Sequence, residues 1–387
     1  MSAPPSPALP KSISAEELVR AVEAGEPMQI LDVRSPERLA GGRVDIVPES
    51  CFVNFVGSKL MALDDLEATG LDPSLPVCVV CARGMTSVDA AEFLRSHGFA
   101  ASSLQGGIAR WMLAAVERRL EPPPGFDRLL QFDRIGKGAL GYLLASDGEA
   151  ILIDPSRNAR PLLDAAAAAG ARIVAIADTH VHADYLSGGP GLAQHLGVPY
   201  HLHPADAVFP YDGTPGRIQF SPLAEGQMLR IGRGELGVLH TPGHTEGSVT
   251  FMAGGEAAFT GDFVFIRSLG RPDLAGKSAE WTAALWQSLE RARREWSPQL
   301  RIYPAHYSSS AERQADFAVG GRFDALLTTN EPLAIAERDA FTRWVAAKAT
   351  RVPESYRTIK AVNLGLQSVD GAQAEELEAG KNECAVG

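Results

Sequence analysis

Eight of the nine histidines in this 387-residue sequence lie between positions 180 and 306. Four of them stand in polar runs: Thr179-His180-Val-His182-Ala-Asp184-Tyr185, Thr241-Pro-Gly-His244-Thr and Tyr303-Pro-Ala-His306. A further run, Thr260-Gly-Asp262, adds a carboxylate. Neutral imidazoles and carboxylates bind borderline divalent metals, and two histidines with one aspartate leave positions open for substrate and oxygen. A structural zinc would more often close its shell with cysteines, and none occurs between residues 82 and 383. The chemistry on offer is metal-dependent catalysis. His195, His201, His203 and His240 lack such a context and receive no role.

A second reactive feature lies earlier, in Leu75-Pro-Val-Cys78-Val-Val-Cys81-Ala-Arg83-Gly-Met-Thr86-Ser87. This reads as a strand running into a short loop and then a helix. A thiol at the base of such a loop faces backbone N–H groups and a helix N-terminus, which favour the thiolate and cradle a persulfide. Cys81 is the persulfide-forming candidate, with Arg83 supplying positive charge in the loop. Cys78, within the strand, reads as a small buried hydrophobe. Cys51 and Cys384 carry no readable signal.

The elements that must position these residues fall into two groups. Glu121-Pro-Pro-Pro-Gly125 is the clearest break, since three prolines can neither continue a helix nor join a ladder. Before it, helices at Ala15–Ala24 and Ser87–His97 alternate with strands at Met28–Val33, Pro76–Val80 and Phe99–Leu104, as in a covered parallel sheet. After it, strands are expected at Tyr142–Leu144, Ala150–Ile153, Ile173–Ala177, Glu235–His240, Val249–Met252 and Ala257–Thr260. Helices are expected at Arg160–Ala169, Gly191–Leu196 and Ala279–Trp296. Each metal-ligating run follows a strand, where loops converge at one sheet edge. The domain plan is a disordered lead at 1–10, a first domain at 11–120, a linker at 121–125, a second domain at 126–365 and a solvated tail at 366–387.

On His180-x-His182-x-Asp184, His244, Asp262 and His306, the larger part resembles the metallo-β-lactamase superfamily in its glyoxalase II-like branch. The resemblance implies an α/β chain whose C-terminal domain is an αββα sandwich. In the binuclear hydrolases of that superfamily a histidine follows Asp184, and the two hold a second metal; here the residue is Tyr185. With that tyrosine and the run Gly261–Asp273, the chain is most similar to the persulfide dioxygenases. That resemblance implies one Fe(II) held by His180, His244 and Asp262, with O2 as co-substrate. His182, Asp184, Tyr185 and His306 would orient the ligands, while Arg271 would hold a glutathione carboxylate and Tyr307 touch substrate. Residues 11–120 resemble a rhodanese-like α/β domain through Leu31-Asp-Val-Arg34, the Cys81 loop and Leu104-Gln-Gly-Gly107. It departs at Thr86, where arginine is common, and at Arg43-Val-Asp-Ile46.

Together the resemblances imply oxidation of a thiol persulfide, glutathione persulfide above all, to sulfite and free thiol, coupled to sulfur transfer involving thiosulfate and sulfite. Two alternatives stand: a hydroxyacylglutathione thioesterase with a binuclear site, and a sulfurtransferase or sulfur carrier whose larger domain is not catalytic. The family implies a homo-oligomer. A net charge of −11 argues against a nucleic-acid partner. No apolar run approaches the roughly 20 residues of a membrane span. The scarcity of cysteine fits a reducing cytoplasm.

Overall fold

The computed structural model describes residues 10–386, so the expected disordered lead lies, but for Pro10, outside the described residues. The chain divides into two compact units. One takes the chain up to Val116 with Arg134–Lys137 and Ala379–Lys381; the other takes Glu117–Asp133, Gly138–Glu378 and the end from Asn382.

In the smaller unit, Ser12–Ile13, Ala101–Leu104, Val77–Val80, Gln29–Asp32 and Phe52–Asn54 lie side by side in that order, all parallel. Alternate side chains point to opposite faces. Ile30, Cys78 and Val80 pack with Leu18, Val19, Ile108 and Trp111 of helices Ala15–Glu23 and Gly107–Trp111. Leu31, Val77 and Val79 pack instead with Ala90, Ala91 and Leu94 of helix Thr86–Ser96. Burial on both faces explains why Val77–Val80 reads as an unbroken apolar run.

The larger unit stacks two sheets. The first has seven strands, running from Ser221–Pro222 through Tyr200–Leu202, Arg172–Ala177, Glu149–Ile153, Ala139–Ser146 and Arg128–Arg134 to Val116–Leu120. The second has six: Met228–Ile231, Gly234–His240, Val249–Ala253, Ala257–Gly261, Arg301–Pro304 and Gly321–Arg322. Leu140, Tyr142, Leu144, Ile151 and Ile153 meet Leu236, Val238, Phe251 and Phe259 in the core between them. Truncating such a buried phenylalanine to alanine typically costs about 3–5 kcal/mol. Helix Ser278–Glu295 covers the second sheet, with Leu285, Leu289 and Ala292 against Ala258 and Ile302. Helices Arg160–Ala168 and Gly189–Leu196 lie against the first. The αββα order is the one expected.

Three features depart from the expectation. Strand Val116–Leu120, ahead of the triple proline, is already the edge of the larger unit's first sheet. Strand Arg128–Arg134 had no distinct alternation, because six of its seven residues are buried. The tail is folded and only partly solvated. It forms helix Gly371–Leu377, capped by Asp370 and Gln373, and strand Ala385–Val386, which pairs antiparallel with Leu269–Gly270. Its exposed charges masked this: Glu376 and Lys381 face solvent, while Glu378 and Cys384 are buried.

Among the described residues, no helix is long and apolar enough to cross a membrane.

Candidate metal centre

Strand Arg172–Ala177 ends just before His180, strand Gly234–His240 just before His244, and strand Ala257–Gly261 at Asp262. The two rigid sheets thus deliver three side chains to one point. Nε2 of His180 lies 3.7 Å from Oδ2 of Asp262, and Nε2 of His244 lies 3.3 Å from the same oxygen. All three side chains are buried, and these three atoms have no hydrogen-bond partner. Leaving a buried polar atom unmet costs about 1–3 kcal/mol each. Three such atoms converging are satisfied together by one cation, so the residues fit a metal ion.

The second nitrogen of each imidazole is spoken for. Nδ1–H of His244 donates to the Arg271 carbonyl at 3.0 Å, which leaves Nε2 with its lone pair. Thr179 Oγ1 donates to the Asp154 carboxylate at 2.9 Å and accepts from Nδ1 of His180 at 3.0 Å, with the same result. Burial holds the His180 pKa well below the ordinary value and pushes that of His244 down to about 4. Both rings are therefore neutral near pH 7, the form a metal needs. Burial acts to raise Asp262, but His306 and His244 outweigh it and keep the carboxyl ionised.

His182, Asp184, Tyr185 and His306 are all buried around this point. His182 is engaged through Nε2, while its Nδ1 is buried without a hydrogen-bond partner. Its Nε2 lies 3.1 Å from Asp154 Oδ1 and 2.9 Å from the Tyr185 hydroxyl, and the two rings stack at 4.3 Å. His306 Nδ1–H donates to Asp262 Oδ1 at 2.6 Å, so one oxygen of Asp262 is engaged and the other faces the histidines.

Burial opposes charge on His306, and Asp184 with Asp262 more than offsets this, raising its pKa from 6.5 to about 10. A raised folded-state pKa gives stability that is fully present below the unfolded value and lost as pH climbs through the folded one. The metal-free chain should therefore lose thermal stability between about pH 6.5 and 10. Melting curves of the chelator-stripped protein check this, and His306→Gln should flatten that part of the profile.

The side chains of Arg271 and Tyr307 are engaged with partners of their own. The Arg271 guanidinium is nearly buried, paired with Asp273 at 2.7 and 2.9 Å and donating to Thr350 Oγ1 at 3.0 Å. A substrate carboxylate would reach it only by displacing Asp273; its backbone carbonyl is what serves the site. The Tyr307 hydroxyl donates to Asp133 at 2.8 Å and meets Arg313. Of the histidines given no role, His203 and His240 stack on each other at 4.2 Å.

Several residues that hold the site were not singled out in the sequence. Asp154, at φ +51°, accepts from Thr179 N–H at 2.7 Å as well as from Thr179 Oγ1 and His182. It follows strand Glu149–Ile153, and that strand-end position is the signal that would have found it. Asp206 joins the two histidine loops, accepting from Val181 N–H (2.7 Å), Thr245 Oγ1 (2.9 Å) and Gly247 N–H (2.7 Å). From helix Glu354–Asn363, Lys360 Nζ donates to the Val181 carbonyl at 2.8 Å, and Asn363 Nδ2 donates to the carbonyls of His182 and Tyr185, each at 2.9 Å.

In the smaller unit, Cys81 closes strand Val77–Val80 and is almost buried. Gly84 N–H donates to its sulfur at 3.1 Å, and Ser87 Oγ lies 3.2 Å away. Burial acts to raise the thiol, but the Ser87 hydroxyl and the N–H groups of Ser87, Arg83 and Gly84 outweigh it, so its pKa lies below the ordinary value. Arg83 contributes through its backbone, while its side chain is exposed. The loop admits little change at Gly107, where a Cβ would stand 2.3 Å from the Cys81 carbonyl oxygen. Asp32 and Arg34 form a buried ion pair. Cys78 is raised to about 12 by burial, as suits a core residue. Iodoacetamide should accordingly label Cys81 faster than Cys78 at pH 7, read by peptide mass spectrometry. Equal rates would deny the loop its effect on the thiol.

Residues 136–316 match the metallo-β-lactamase superfamily and residues 14–114 the rhodanese-like domain. An "Uncharacterized protein" of Aquifex aeolicus is 31% identical over 175 residues, 42% of this chain and 81% of that one. A hydroxyacylglutathione hydrolase of Acidiphilium cryptum is 33% identical over 144 residues, 37% of this chain and 56% of the hydrolase. The chain thus spans about half the length of that hydrolase. Among solved structures, ETHE1 from Myxococcus xanthus aligns with a TM-score of 0.52 at 21% identity, covering 65% of this chain and 100% of that one. A metallo-beta-lactamase from Staphylococcus aureus aligns at 0.52 and 23% identity, covering 66% and 74%. Both structural likenesses speak for the fold. The chain therefore carries a metallo-β-lactamase superfamily domain at residues 136–316 behind a rhodanese-like domain at residues 14–114.

Proposed function

We propose that the larger unit is an Fe(II)-dependent persulfide dioxygenase acting on a low-molecular-weight thiol persulfide, glutathione persulfide in the first place. The observation that carries this reading is the convergence of one donor atom each from His180, His244 and Asp262, while Nε2 of His182 is committed to Asp154 and Tyr185. Two histidines and one carboxylate are the ligand pattern of non-haem iron oxygenases, which keep positions open. Ferrous iron held by His180, His244 and Asp262 would supply the activation of O2 beside the persulfide. The protein's part is to keep both imidazoles neutral and their Nε2 lone pairs aimed inward, through the Arg271 carbonyl and the Asp154–Thr179 relay. The overall change is RSSH + O2 + H2O giving RSH, sulfite and two protons. The outer sulfur is oxidised and the S–S bond breaks, while both oxygen atoms of O2 and one from water end in sulfite.

In the smaller unit Cys81 would carry sulfane sulfur as a persulfide, exchanging it with thiosulfate or sulfite. Cys81→Ser should abolish thiosulfate:thiol sulfur transfer and leave O2 consumption with added glutathione persulfide unchanged. Transfer that survives the substitution would leave that domain as a docking module.

A second reading is hydroxyacylglutathione hydrolysis at a binuclear site, favoured by the similarity to hydroxyacylglutathione hydrolases. Against it stand Tyr185, whose phenol is a poor ligand near pH 7, and the engagement of one Asp262 oxygen by His306. Anaerobic loading with Fe(II) followed by oxygen uptake decides between them. The dioxygenase reading expects one O2 consumed per sulfite formed. No uptake, with turnover of an acyl-glutathione thioester instead, would replace it with the hydrolase.

A further inference from the structure

Outside the metal centre, a cavity of about 260 Å³ backs onto the loops that carry two of its ligands. Val181, between His180 and His182, and Thr245, next to His244, form part of its wall, while His180, His244 and Asp262 themselves do not. The outer lip is the turn over residues 207–216. It is closed on itself by Phe209 N–H donating to the Thr214 carbonyl at 2.7 Å and Gly216 N–H donating to the Ala207 carbonyl at 2.8 Å. Tyr211 pins this lip in place: its hydroxyl donates to the Leu274 carbonyl at 2.7 Å, and the Arg357 guanidinium lies 4.7 Å over its ring. Phe209 and Trp281 add two buried aromatic rings, so the walls suit a flat apolar body.

The same walls carry donors that lack acceptors. Lys360 is buried, and of the three N–H donors an ammonium offers, one goes to the Val181 carbonyl at 2.8 Å. The indole N–H of Trp281 is buried with no hydrogen-bond partner. Leaving a buried donor unmet costs about 1–3 kcal/mol, and more where the group is charged. The neighbouring carboxylates are already in use. Asp206 accepts from Val181 N–H, Thr245 Oγ1 and Gly247 N–H. Asp212 accepts from Thr214 N–H at 2.9 Å within its own turn, and Glu246 faces Lys277 at 3.5 Å. What the cavity lacks is an acceptor, and an anionic one matches the ammonium.

We propose that this cavity is an effector site for a small organic carboxylate with a flat apolar body, the carboxylate meeting Lys360 and the ring lying against Phe209 and Trp281. The site goes beyond the proposed reaction, since none of the triad lines it and its occupant undergoes no chemical change. Occupancy is felt at the metal centre. Burial foremost, and after it charges that include the Lys360 ammonium, depress the pKa of His180 and of His244, so that positive charge acts on any cation they hold. An anion on Lys360 offsets it. Metal and carboxylate therefore tighten each other's binding, and linkage makes the effect reciprocal.

The test is calorimetric titration of the chelator-stripped full chain with phenylacetate, against benzyl alcohol as an uncharged counterpart and inorganic sulfate as an anion without the ring. One equivalent of phenylacetate should bind at least about 10-fold more tightly than benzyl alcohol, the worth of one hydrogen bond to a charged group. Sulfate should not saturate. Lys360→Met should bring phenylacetate and benzyl alcohol to equal affinity. If that variant does not fold by circular dichroism, Val208→Trp, at the exposed rim of the cavity, keeps the lysine and should block phenylacetate. Phenylacetate should also tighten Co(II), read by competition with a chromophoric chelator. No binding of phenylacetate, equal binding of benzyl alcohol by the unaltered chain, or binding undiminished in Val208→Trp would each overturn the site. Co(II) affinity indifferent to phenylacetate would overturn its effector role. No readout here depends on oxygen uptake, so failure of the site is distinguishable from failure of the dioxygenase reading.

Discussion

Asp262→Ala is expected to empty the iron position and lower persulfide-dependent oxygen uptake by more than about 100-fold, beyond the 10–100-fold typical when a residue merely orients a ligand. Asp262 is the only anionic member of the converging triad, and its Oδ2 is the atom both histidines face. Two neutral imidazoles alone hold a divalent ion weakly, because the carboxylate supplies the charge neutralisation that a buried cation requires. The substitution also deprives His306 Nδ1–H of its acceptor. Asp262→Asn separates the two effects: the amide oxygen can still accept from His306, but the negative charge is gone. Iron content after anaerobic loading should fall in both variants, while the melting temperature should fall chiefly in the alanine. An Asp262→Ala protein that still retained iron and consumed oxygen would remove this residue from the ligand set.

Why the triad was legible and its supports were not follows from how each acts. His180, His244 and Asp262 use short-range placement. Each stands within four residues of a strand end, and strand ends can be read from apolar runs bounded by Gly, Pro and Thr. The alternation of strands and helices around Cys81 was legible for the same reason, since both faces of that sheet are covered and its strands read as apolar. Lys360 and Asn363 act across 179 and 181 positions of sequence, a reach that no local pattern encodes. A lysine in a helix rich in polar residues reads as solvent-facing, yet Lys360 is almost wholly buried on the loop that carries His180. Cys384 was lost for a different reason, because the charged residues beside it, Lys381 and Glu383, are exposed while the cysteine is buried. Arg271 shows the converse case. A motif assigned its side chain to a substrate, but Asp273, two residues on, pairs with the guanidinium, and the backbone carbonyl is what touches the centre.

Asp154 ties Thr179 and His182 together beside the triad, and Asp154→Ala should show it. Its carboxylate accepts from the Thr179 N–H and hydroxyl and from His182 Nε2, all buried. Removing it leaves those donors without an acceptor, and breaking a buried charged pair by deleting one partner costs about 3–5 kcal/mol. Some of that is returned, since Asp154 holds φ +51° and a strained non-glycine position of this kind stores about 1–3 kcal/mol; Asp154→Gly would relieve it where alanine does not. The effect on the metal should be equally large. Without the carboxylate, Thr179 no longer has a reason to turn its hydroxyl hydrogen away from His180, so the Nδ1–H tautomer that frees Nε2 is no longer enforced. His182 is released as well, and its nearest fixed partner becomes the Tyr185 hydroxyl. Metal affinity should fall about 10–100-fold, the range for residues that orient ligands. Asp154→Asn should recover part of the stability, because one amide oxygen can still accept from Thr179, while the loss of charge keeps the metal weak. Chemical denaturation of the metal-free chain and competition with a chromophoric chelator measure the two effects separately. Wild-type affinity in Asp154→Ala would mean that the imidazoles hold their tautomers without the relay, and the role assigned to Thr179 would fall with it.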